Sequence, residues 1–398
     1  MTHPGPLHDI RVLDLSRALA GPYAAMVLGD MGADVIKIEQ PGAGDETRGW
    51  GPPWAGGESA YFLSINRNKR GITLDLKNAD ARRILIDLVR TADVLVENFR
   101  RGTLERMGLS DDVLWDANAG LIHASISGFG TVGPYAEYAG YDAVIQGMAG
   151  IMSTTGEPDG QPMRVGIAVV DVTVGLFLVN GILAALHARP ETGRGQRVDV
   201  SLLESALAWL VNFGQHYLVS GTPAPRYGNS HPNIVPYGVF QTQDRPLTLA
   251  VGNDRQFRAV CAITGRRELA DDPRFATNAA RLAHRDELIP LLEGLFALRP
   301  ADEWLRLLNE AGVPAGPINT IPQALADPQV LALGVVRTLP HSSAGDLPLI
   351  GSPIHLSATP VEPRRAPPRL GEHTEAVLRD LLHLSDAEIA RLRAGGAF

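Results

Sequence analysis

Cysteine is nearly absent from this chain of 398 residues, which contains only Cys261. One thiol cannot form a disulfide framework or a cysteine-based metal site within a chain, and its apolar neighbours predict a buried, inert side chain. The eleven histidines are scattered without H-E-x-x-H or similarly dense spacing, so no metal site is predicted. A formal net charge of −8 argues against general binding to nucleic acid or to an anionic membrane, although a local basic pocket remains compatible with it.

The sequence also lacks the motifs that most often mark nucleotide or acyl chemistry. No G-x-G-x-x-G follows the first predicted strand, where "SRALAGPY" stands instead, so a nicotinamide or flavin site is disfavoured. No G-x-x-x-x-G-K-[ST] is present to bind ATP in a P-loop, and no G-x-S-x-G is present to form the nucleophile elbow of an α/β-hydrolase.

Apolar runs long enough to cross a membrane are not expected either. Only fifteen residues separate Asp171 from His187, and Asn180 interrupts them, whereas a span needs about 20 mostly apolar residues. The N-terminus shows no basic region followed by an apolar run, so no secretory signal is predicted. We therefore predict a cytoplasmic protein and, from Asp171 to about His187, a helix buried on nearly every face.

Strand and helix patterns alternate through the first half of the chain. "DIRVLDLS" is typical of a strand, "GPYAAMVLGDMG" of a helix with Pro22 in its first turn, and "ADVIKIE" of a second strand. This order predicts a βαβ unit in an α/β fold, whose parallel sheet binds ligands at the carboxyl ends of its strands. Farther along, "GVFQTQDRPLTLAVG" predicts a hairpin, and Ser385 with Glu388 predicts a capping box on the last helix.

Shifts in composition divide the chain into four segments. Residues 1–205 are predicted to form the first part of a large domain, and 206–224 a linker, where proline, glycine, asparagine and serine become frequent. Residues 225–325 are predicted to form a smaller α+β domain. Residues 326–398 are predicted to be a proline-rich return segment that completes the large domain.

Asp171 is the only formal charge in the apolar stretch "GIAVVDVTVGLFLVNGILAAL". Burying an unpaired ionised carboxylate costs several kcal/mol or raises its pKa. The pattern leaves two interpretations open. The carboxylate either caps a helix by accepting backbone N–H groups, or is a nucleophile whose reactivity rises because it has lost its hydration.

Basic residues cluster in "NRNKRGITLDLK" and in "ENFRRGTLERMG". Each cluster is compatible with a solvated face, and each also stands near a predicted strand end, where a phosphate-bearing ligand would bind. In the second cluster Phe99 lies between Asn98 and Arg100, which combines a stacking surface with hydrogen-bond donors. This combination suits an adenine nucleotide.

Seven segments follow one another along the chain, and "LGEHTEAVL" extends the series toward the C-terminus: "RVLDLSRALAGPYAAMVLGDMGADVIKIEQPGAGDETR", "NRNKRGITLDLK", "ADVLVENFRRG", "SISGFGTVGPY", "GYDAVIQGMAGIMSTTG", "RVGIAVVDVTVGLF" and "TGRGQRVDVSLLES". In this order they resemble CoA-transferase family III, the group of the formyl-CoA and carnitine-type CoA-transferases. The resemblance implies a Rossmann-like large domain built from both chain ends, an inserted smaller domain, and an interlocked homodimer.

By the same resemblance, Asp171 falls at the family's catalytic aspartate. It would attack the thioester of an acyl-CoA to give an aspartyl acyl anhydride, which the CoA thiolate would convert to an aspartyl-CoA thioester. An acceptor carboxylate would reverse these steps. The resemblance therefore implies acyl-CoA and carboxylic acids as substrates, with no metal and no tightly bound cofactor.

The resemblance also assigns CoA-binding positions, and one of them departs from the family. Gln40 stands where the formyl-CoA enzyme has arginine, which weakens the expectation of a nucleotide contact there. The positions implied to contact acyl-CoA are Arg17, Leu19, Ala20, Gln40, Leu74, Lys77, Asn98, Phe99, Arg100, Arg106, Tyr141 and Asp142.

Two further questions concern the reaction and the acceptor. The α-methylacyl-CoA racemases share the fold and the aspartate, but they pair it with a histidine where this chain has Tyr141, and tyrosine is a poor acid–base substitute. Transfer is therefore favoured over racemisation.

The segment "RYGNSHPNIVPYGVFQT" most resembles the succinyl-CoA–glutarate branch, so Arg164, Arg226 and His231 are candidates to bind the distal carboxylate of a dicarboxylate. Transfer to another acid stays open.

Overall fold

The computed structural model describes residues 4–398, which separate into two compact units. The larger unit contains the chain up to Ile151, Arg164–Ser220 and Leu331–Phe398, and the smaller unit contains Met152–Met163 and Gly221–Val330. The strands are β1 (Arg11–Asp14), β2 (Asp34–Glu39), β3 (Trp54–Ala55), β4 (Glu58–Ser59), β5 (Lys69–Thr73), β6 (Val94–Glu97), β7 (Ile122–Ser127), β8 (Arg197–Ser201), β9 (Tyr237–Phe240), β10 (Leu247–Ala250), β11 (Ala315–Pro317), β12 (Val336–His341) and β13 (Gly345–Ile350).

The helices differ widely in length, and a short 3-10 helix, Glu46–Gly49, accompanies them. The α-helices are α1 (Ala20–Asp30), α2 (Ala60–Ile65), α3 (Ala79–Val89), α4 (Thr103–Arg106), α5 (Asp111–Ala117), α6 (Asp142–Met148), α7 (Ile151–Thr154), α8 (Val169–Thr192), α9 (Leu202–Ala208), α10 (Val211–Ser220), α11 (Asp254–Ile263), α12 (Glu268–Asp271), α13 (Asn278–Ala283), α14 (Arg285–Phe296), α15 (Ala301–Glu310), α16 (Ile321–Leu325), α17 (Pro328–Leu333), α18 (Thr374–Leu382) and α19 (Asp386–Ala394).

A six-stranded parallel sheet, in the order β5-β2-β1-β6-β7-β8, forms the centre of the larger unit. The predicted α/β class and the predicted βαβ unit are therefore confirmed. The strand order reverses between β1 and β6, because the chain first builds outward through β2 and β5 and then returns to the other side of β1. In such sheets ligands bind outside the carboxyl ends of the strands at this reversal.

Both faces of the sheet are covered by helices, which explains why its strands are apolar in nearly continuous runs. One core contains α1, α8 and α9 together with alternate side chains of the strands, such as Val12 and Val96. The other contains α3, α18 and α19 with the opposite set, such as Leu13 and Leu95. The C-terminal residues thus complete the larger unit, and the predicted capping box of Ser385 and Glu388 is present at the start of α19.

The long helix α8 departs from the prediction that it is buried on nearly every face. It extends over Val169–Thr192, and Leu176 and Phe177 are each 42% exposed, whereas Leu178 and Ile182 are fully buried in the core. By length and composition alone α8 could cross a membrane. Its buried face, however, packs in this core as the core helix of a globular protein does. Gly175 permits a close crossing with α1, because a Cβ there would lie 2.8 Å from the carbonyl oxygen of Ala20.

The smaller unit contains the predicted hairpin, since β9 and β10 pair antiparallel, and β11 extends them to a three-stranded sheet. Its limits differ from those predicted. Residues 152–163 join it from before α8, and the supposed linker 206–224 contains all of α10 and the end of α9. The prediction of a linker overlooked α10. Its sequence is more apolar than that of a typical linker, yet none of its residues is buried, so it is not a core helix either.

Candidate active site

Asp171 lies in the first turn of α8, and the carboxylate of Asp142 stands across the start of that helix. The Oδ2 atom of Asp142 accepts hydrogen bonds from the backbone N–H groups of Val170, at 2.8 Å, and of Asp171, at 3.3 Å. The first N–H groups of a helix have no partner within it, and the N-cap residue Ala168 makes no side-chain hydrogen bond. Asp142, the first residue of α6, therefore caps α8 from another helix and fixes the main chain that carries Asp171.

Asp142 is itself held by Gln146, one turn later on α6. The fully buried amide of Gln146 donates from Nε2 to Asp142 Oδ1 at 2.6 Å. Its Oε1 accepts the backbone N–H of Val165 at 2.8 Å. The two α6 side chains thus connect the segment before α8 to the first turn of α8. Four hydrogen bonds, none of which involves the Asp171 side chain, therefore fix the main chain at Asp171.

The surroundings of Asp171 disfavour its ionised form. Burial, and after it the negative charge of Asp142, raises the pKa of Asp171 to about 7. Near neutral pH the residue is therefore divided between carboxylic acid and carboxylate. The carboxylate is more basic and more nucleophilic than an ordinary aspartate, which favours the nucleophile over the purely structural interpretation.

Tyr61, on α2, belongs to the same electrostatic environment, and no pattern in the sequence indicated it. Its pKa is raised to about 12 by burial and by the charges of Asp171, Asp142 and Asp45. Its ring also packs edge-on against Trp50, with 5.0 Å between the ring centroids. The hydroxyl therefore stays protonated at neutral pH and is a hydrogen-bond donor in the neighbourhood of Asp171.

A cleft of about 720 Å³ opens beside Asp171 at the carboxyl ends of β1, β6 and β7. It lies at the reversal of strand order, where the fold predicts a ligand. The predicted site residues that line it are Arg17, Leu19, Ala20, Asn98, Phe99, Arg100, Tyr141 and Asp171. Asp142 does not line the cleft, because its carboxylate points into the helix starts that it caps.

Two of the segments that line the cleft are fastened to each other. The backbone N–H of Arg17 donates to Asn98 Oδ1 at 2.9 Å, and Asn98 Nδ2 donates back to the carbonyl of Arg17 at 2.8 Å. The guanidinium of Arg17 also lies over the ring of Phe99, 5.3 Å from its centroid. A cation, an aromatic face and amide groups are thus held next to each other, as the sequence predicted for an adenine nucleotide.

Buried ion pairs beneath the β1–α1 turn support this arrangement. Lys37 Nζ donates to Asp45 at 2.9 Å and to the carbonyl of Ser16 at 3.1 Å. Asp45 also accepts the N–H of Ala18 at 3.3 Å, and Ala18 has a φ of 62°, which side-chain-bearing residues rarely adopt. Fully buried Lys69 donates to Asp14 at 2.8 Å, and burial lowers the pKa of Lys69 to about 8.

Four predicted CoA contacts lie outside the cleft that contains Asp171. Gln40 is exposed just after β2, and Lys77 and Arg106 are exposed as well. The Leu74 side chain is only 2% exposed within the core, so any contact there must come from its main chain. The family resemblance suggested these residues by their position in the sequence, but the direction in which each side chain points depends on packing.

The three candidates for a distal carboxylate differ in how their donors are used. In the smaller unit, Arg226 donates to the carbonyls of Glu157, Pro158 and Gly160 at 3.0, 3.2 and 2.5 Å, which occupies its guanidinium with loop support. His231 accepts the N–H of Asn233 at 3.0 Å.

Arg164, exposed in the larger unit shortly before α8, uses only Nη1, toward two neighbouring carbonyls at 3.3 and 3.1 Å. Nε and Nη2 of its guanidinium are therefore open to a carboxylate.

The cleft also contains four ionisable residues that the sequence did not suggest as site residues. Glu97, Asp111, His123 and Arg197 line it. They come from β6, α5, β7 and β8, so no local spacing reveals them. Among residues 4–398 no group of three or more histidine, cysteine, aspartate or glutamate side chains is arranged to hold a metal ion.

Comparison with known proteins agrees with this geometry. The sequence profile of CoA-transferase family III matches residues 7–374. A succinate–glutarate CoA-transferase of Agrobacterium fabrum is 48% identical over 382 residues, which cover 94% of this chain and 96% of that protein. A human succinyl-CoA:glutarate CoA-transferase is 40% identical over 396 residues, covering 100% of this chain and 90% of the human protein.

Among solved structures, a CAIB/BAIF family protein from Brucella suis has a TM-score of 0.84 and 44% identity, covering 95% of this chain and 99% of that one. The chain belongs to CoA-transferase family III, and CoA thioesters are therefore its substrates. The resemblance seen in the seven sequence segments is confirmed.

Proposed function

We propose that this enzyme moves CoA from succinyl-CoA to a small dicarboxylate, with glutarate as the first candidate. Two relatives at 48% and 40% identity over nearly the whole chain carry names that specify this pair of acids. The observation that carries the proposal is the position of Asp171, a half-buried carboxylate at the start of α8, on a cleft whose other wall has the features of a nucleotide site.

Asp171 acts as a covalent carrier. Its carboxylate oxygen attacks the thioester carbon of succinyl-CoA, the C–S bond breaks, and an aspartyl succinyl anhydride and a CoA thiolate result. The thiolate then attacks Cγ of Asp171, which forms an aspartyl-CoA thioester and releases succinate. Glutarate attacks the same Cγ, the displaced thiolate attacks the glutaryl carbonyl, and glutaryl-CoA leaves. Each step exchanges one activated acyl bond for another, so no other energy source is required.

The residues around Asp171 prepare it for this role. Asp142 and Gln146 hold the first turn of α8, so the carboxylate is oriented without being bonded through its own oxygens. Burial and the Asp142 charge raise the pKa of Asp171 to about 7, which makes its carboxylate a better nucleophile.

The nucleotide end of acyl-CoA binds at the Arg17–Asn98–Phe99 face of the cleft, with Arg100 as a further cation. Leu19, Ala20 and Tyr141 lie between this face and Asp171 and contact the pantetheine and acyl portions. Gln40, Lys77, Arg106 and the main chain of Leu74 are proposed to contact CoA from outside this cleft. The length of the CoA molecule makes such dispersed contacts reasonable.

Arg164 is the proposed partner of the distal carboxylate of the acceptor. Of the three candidates, Arg164 lies in the same unit as Asp171, and its hydrogen bonds use only Nη1 of the guanidinium. A guanidinium matches a carboxylate through two parallel hydrogen bonds, so it distinguishes a dicarboxylate from a monocarboxylate of the same length. Arg226 and His231 are proposed to shape the smaller unit instead.

We also propose that the enzyme is a homodimer, interlocked as in the family, and that it works in the cytoplasm. The larger unit leaves apolar side chains exposed in a way that a partner copy would cover. Leu218 and Val219 on α10 are 77% and 78% exposed, and Leu176 and Phe177 on α8 are 42% exposed. Exposed apolar surface of this extent is typical of protein interfaces.

The experiment that tests the proposed reaction is mass spectrometry of CoA esters after incubation with succinyl-CoA and glutarate. Glutaryl-CoA must form with the wild-type enzyme and must not form with Asp171→Ala. A parallel mixture contains a 2-methylacyl-CoA in heavy water. Deuterium at its α-carbon without acyl exchange would overturn the proposal in favour of a racemase, against which Tyr141 and the names of the relatives speak.

A further inference from the structure

Four ionisable side chains from four elements meet behind the segment that contains Asn98, Phe99 and Arg100. Glu97 is the last residue of β6, His123 lies on β7, Asp111 begins α5, and Arg197 begins β8. All four line the cleft that contains Asp171. The covalent mechanism uses none of them.

Asp111 fixes the orientation of the imidazole. Its Oδ1 lies 2.6 Å from His123 Nδ1, and Arg197 Nη1 donates to its two oxygens at 3.0 and 2.9 Å. These partners, the hydrogen bond with His123 first, lower the pKa of Asp111, so its carboxylate is ionised and accepts. Nδ1 of His123 therefore carries a hydrogen, and the ring turns its other nitrogen, Nε2, away from Asp111.

Nε2 of His123 faces Glu97 but is not bonded to it. The side chain is 3% exposed, Nε2 has no hydrogen-bond partner among the residues that the structure describes, and Glu97 Oε1 is 3.9 Å away. A buried polar nitrogen without a partner is costly, and the structures of proteins contain few of them. The nearest group that can satisfy it is the carboxylate of Glu97.

Glu97 connects this pair to the nucleotide face. Its Oε2 accepts the backbone N–H of Phe99 at 2.7 Å, and Ser125 donates a further side-chain hydrogen bond to it. A movement of about 1 Å would bring Nε2 into hydrogen-bond range of Glu97. Any such movement is transmitted through the Glu97 carboxylate to the main chain of Phe99, and so to the clasp between Asn98 and Arg17.

We propose that Glu97 and His123 are a positioning pair for acyl-CoA, in which a hydrogen bond between His123 Nε2 and the Glu97 carboxyl group fixes the Asn98–Arg100 segment for the nucleotide end of the substrate. This inference depends on the proposed binding of acyl-CoA at that face. Burial raises the pKa of Glu97, and a carboxyl group that holds a proton donates it to the Nε2 lone pair once the two groups are within hydrogen-bond range.

Two variants test the pair. His123→Asn keeps a donor for Asp111 and removes Nε2, and Glu97→Leu removes the carboxyl group, since a glutamine amide there would still donate to Nε2. Each should weaken binding of CoA and of adenosine 3′,5′-bisphosphate at least about tenfold, because the bond between Nε2 and the carboxyl group is lost. The value of kcat at saturating succinyl-CoA should stay within about twofold, as should the KM of succinyl-pantetheine, which lacks the nucleotide.

Glu105→Gln is the matched control, since Glu105 is an exposed carboxylate on the same cleft. It should bind the bisphosphate like the wild type. The double variant should lose no more than Glu97→Leu alone, because that variant already lacks the bond that His123→Asn removes. Melting temperatures show whether each variant is folded.

Equal losses for succinyl-CoA and succinyl-pantetheine would overturn the inference, as would wild-type affinity for the bisphosphate in both variants or additive losses in the double variant. Failure of the proposed function is a different result. In that case the wild-type enzyme forms no glutaryl-CoA, whatever the affinity of the variants for the bisphosphate.

Discussion

The carboxylate of Asp142 accepts the backbone N–H of Asp171 at 3.3 Å, so the residue that caps α8 is also the nearest identified negative charge acting on the nucleophile. The contact has two consequences. It orders the first turn of α8, and it adds to the effect of burial in raising the pKa of Asp171. Orientation and nucleophilic strength therefore depend on the same side chain.

The first prediction concerns the pH dependence of transfer. Because the pKa of Asp171 is raised to about 7, kcat/KM should fall as pH falls through about 7, where the carboxylate becomes protonated. Asp142→Asn retains a cap acceptor but removes the charge, so the acid limb should move to lower pH. Initial rates of glutaryl-CoA formation across the pH range measure both. An unchanged limb in the variant would show that Asp142 does not influence the nucleophile.

The second prediction concerns stability. Ionising Asp171 costs more in the folded protein than in the unfolded chain, so this cost appears as pH rises above the unfolded value of about 3.8 and is complete above about 7. Asp171→Asn should therefore be more stable than the wild type, with an advantage that grows by about 2 kcal/mol between about pH 5 and about pH 8 and then levels off. Urea denaturation at several pH values measures it, and an advantage independent of pH would contradict the assigned pKa.

The third prediction concerns the clasp between Asn98 and Arg17. Asn98→Ala removes both of its hydrogen bonds, at 2.9 and 2.8 Å, and should raise the KM of succinyl-CoA about tenfold with little change in kcat. Asn309→Ala, at an exposed position of the smaller unit, is the control. Steady-state kinetics with succinyl-CoA varied at saturating glutarate separates the two parameters. A fall in kcat with no change in KM would contradict the prediction, because it would mean that Asn98 acts on the reacting atoms and not on binding of the nucleotide end.

The fourth prediction concerns acceptor specificity. Arg164→Met should lower kcat/KM for glutarate about a hundredfold and leave pentanoate, which lacks the second carboxylate, nearly unchanged. Arg226→Ala should lower the melting temperature, because it removes donors from three carbonyls, and should leave the ratio between the two acids as in the wild type. Competition between the two acids for succinyl-CoA gives this ratio directly. A changed ratio in Arg226→Ala alone would transfer the role to that residue.

The sequence predicted the sheet well, because the sheet follows from local patterns. The alternation of apolar strands and amphipathic helices indicates a parallel sheet, and residues directly after strands, such as Arg17 and Asn98, lie together at its carboxyl edge. Asp171 stood out because a charge is rare in an apolar run. The family resemblance then implied the catalytic role that the pattern had left open, and that role stays a prediction.

What the sequence did not reveal depends on contacts between distant segments. The charge of Asp171 acts on Tyr61 of α2, and Glu97 faces His123 from the neighbouring strand, so neither pair has a spacing that can be recognised. Leu74 looked like a ligand contact, but its side chain is core. The exposed face of α8 was missed because residues such as Leu176 and Phe177 are as apolar as those that the core buries.

The measurement that tests the covalent role of Asp171 most directly is the transfer of oxygen-18 from labelled glutarate. When glutarate attacks the aspartyl-CoA thioester and the resulting anhydride is cleaved at the glutaryl carbonyl, one glutarate oxygen remains on Asp171. The next succinyl group then removes it as succinate. Mass spectrometry should find oxygen-18 in the peptide that contains Asp171 as well as in succinate. Label in succinate with none in that peptide would mean direct exchange between the two acids and would contradict the account.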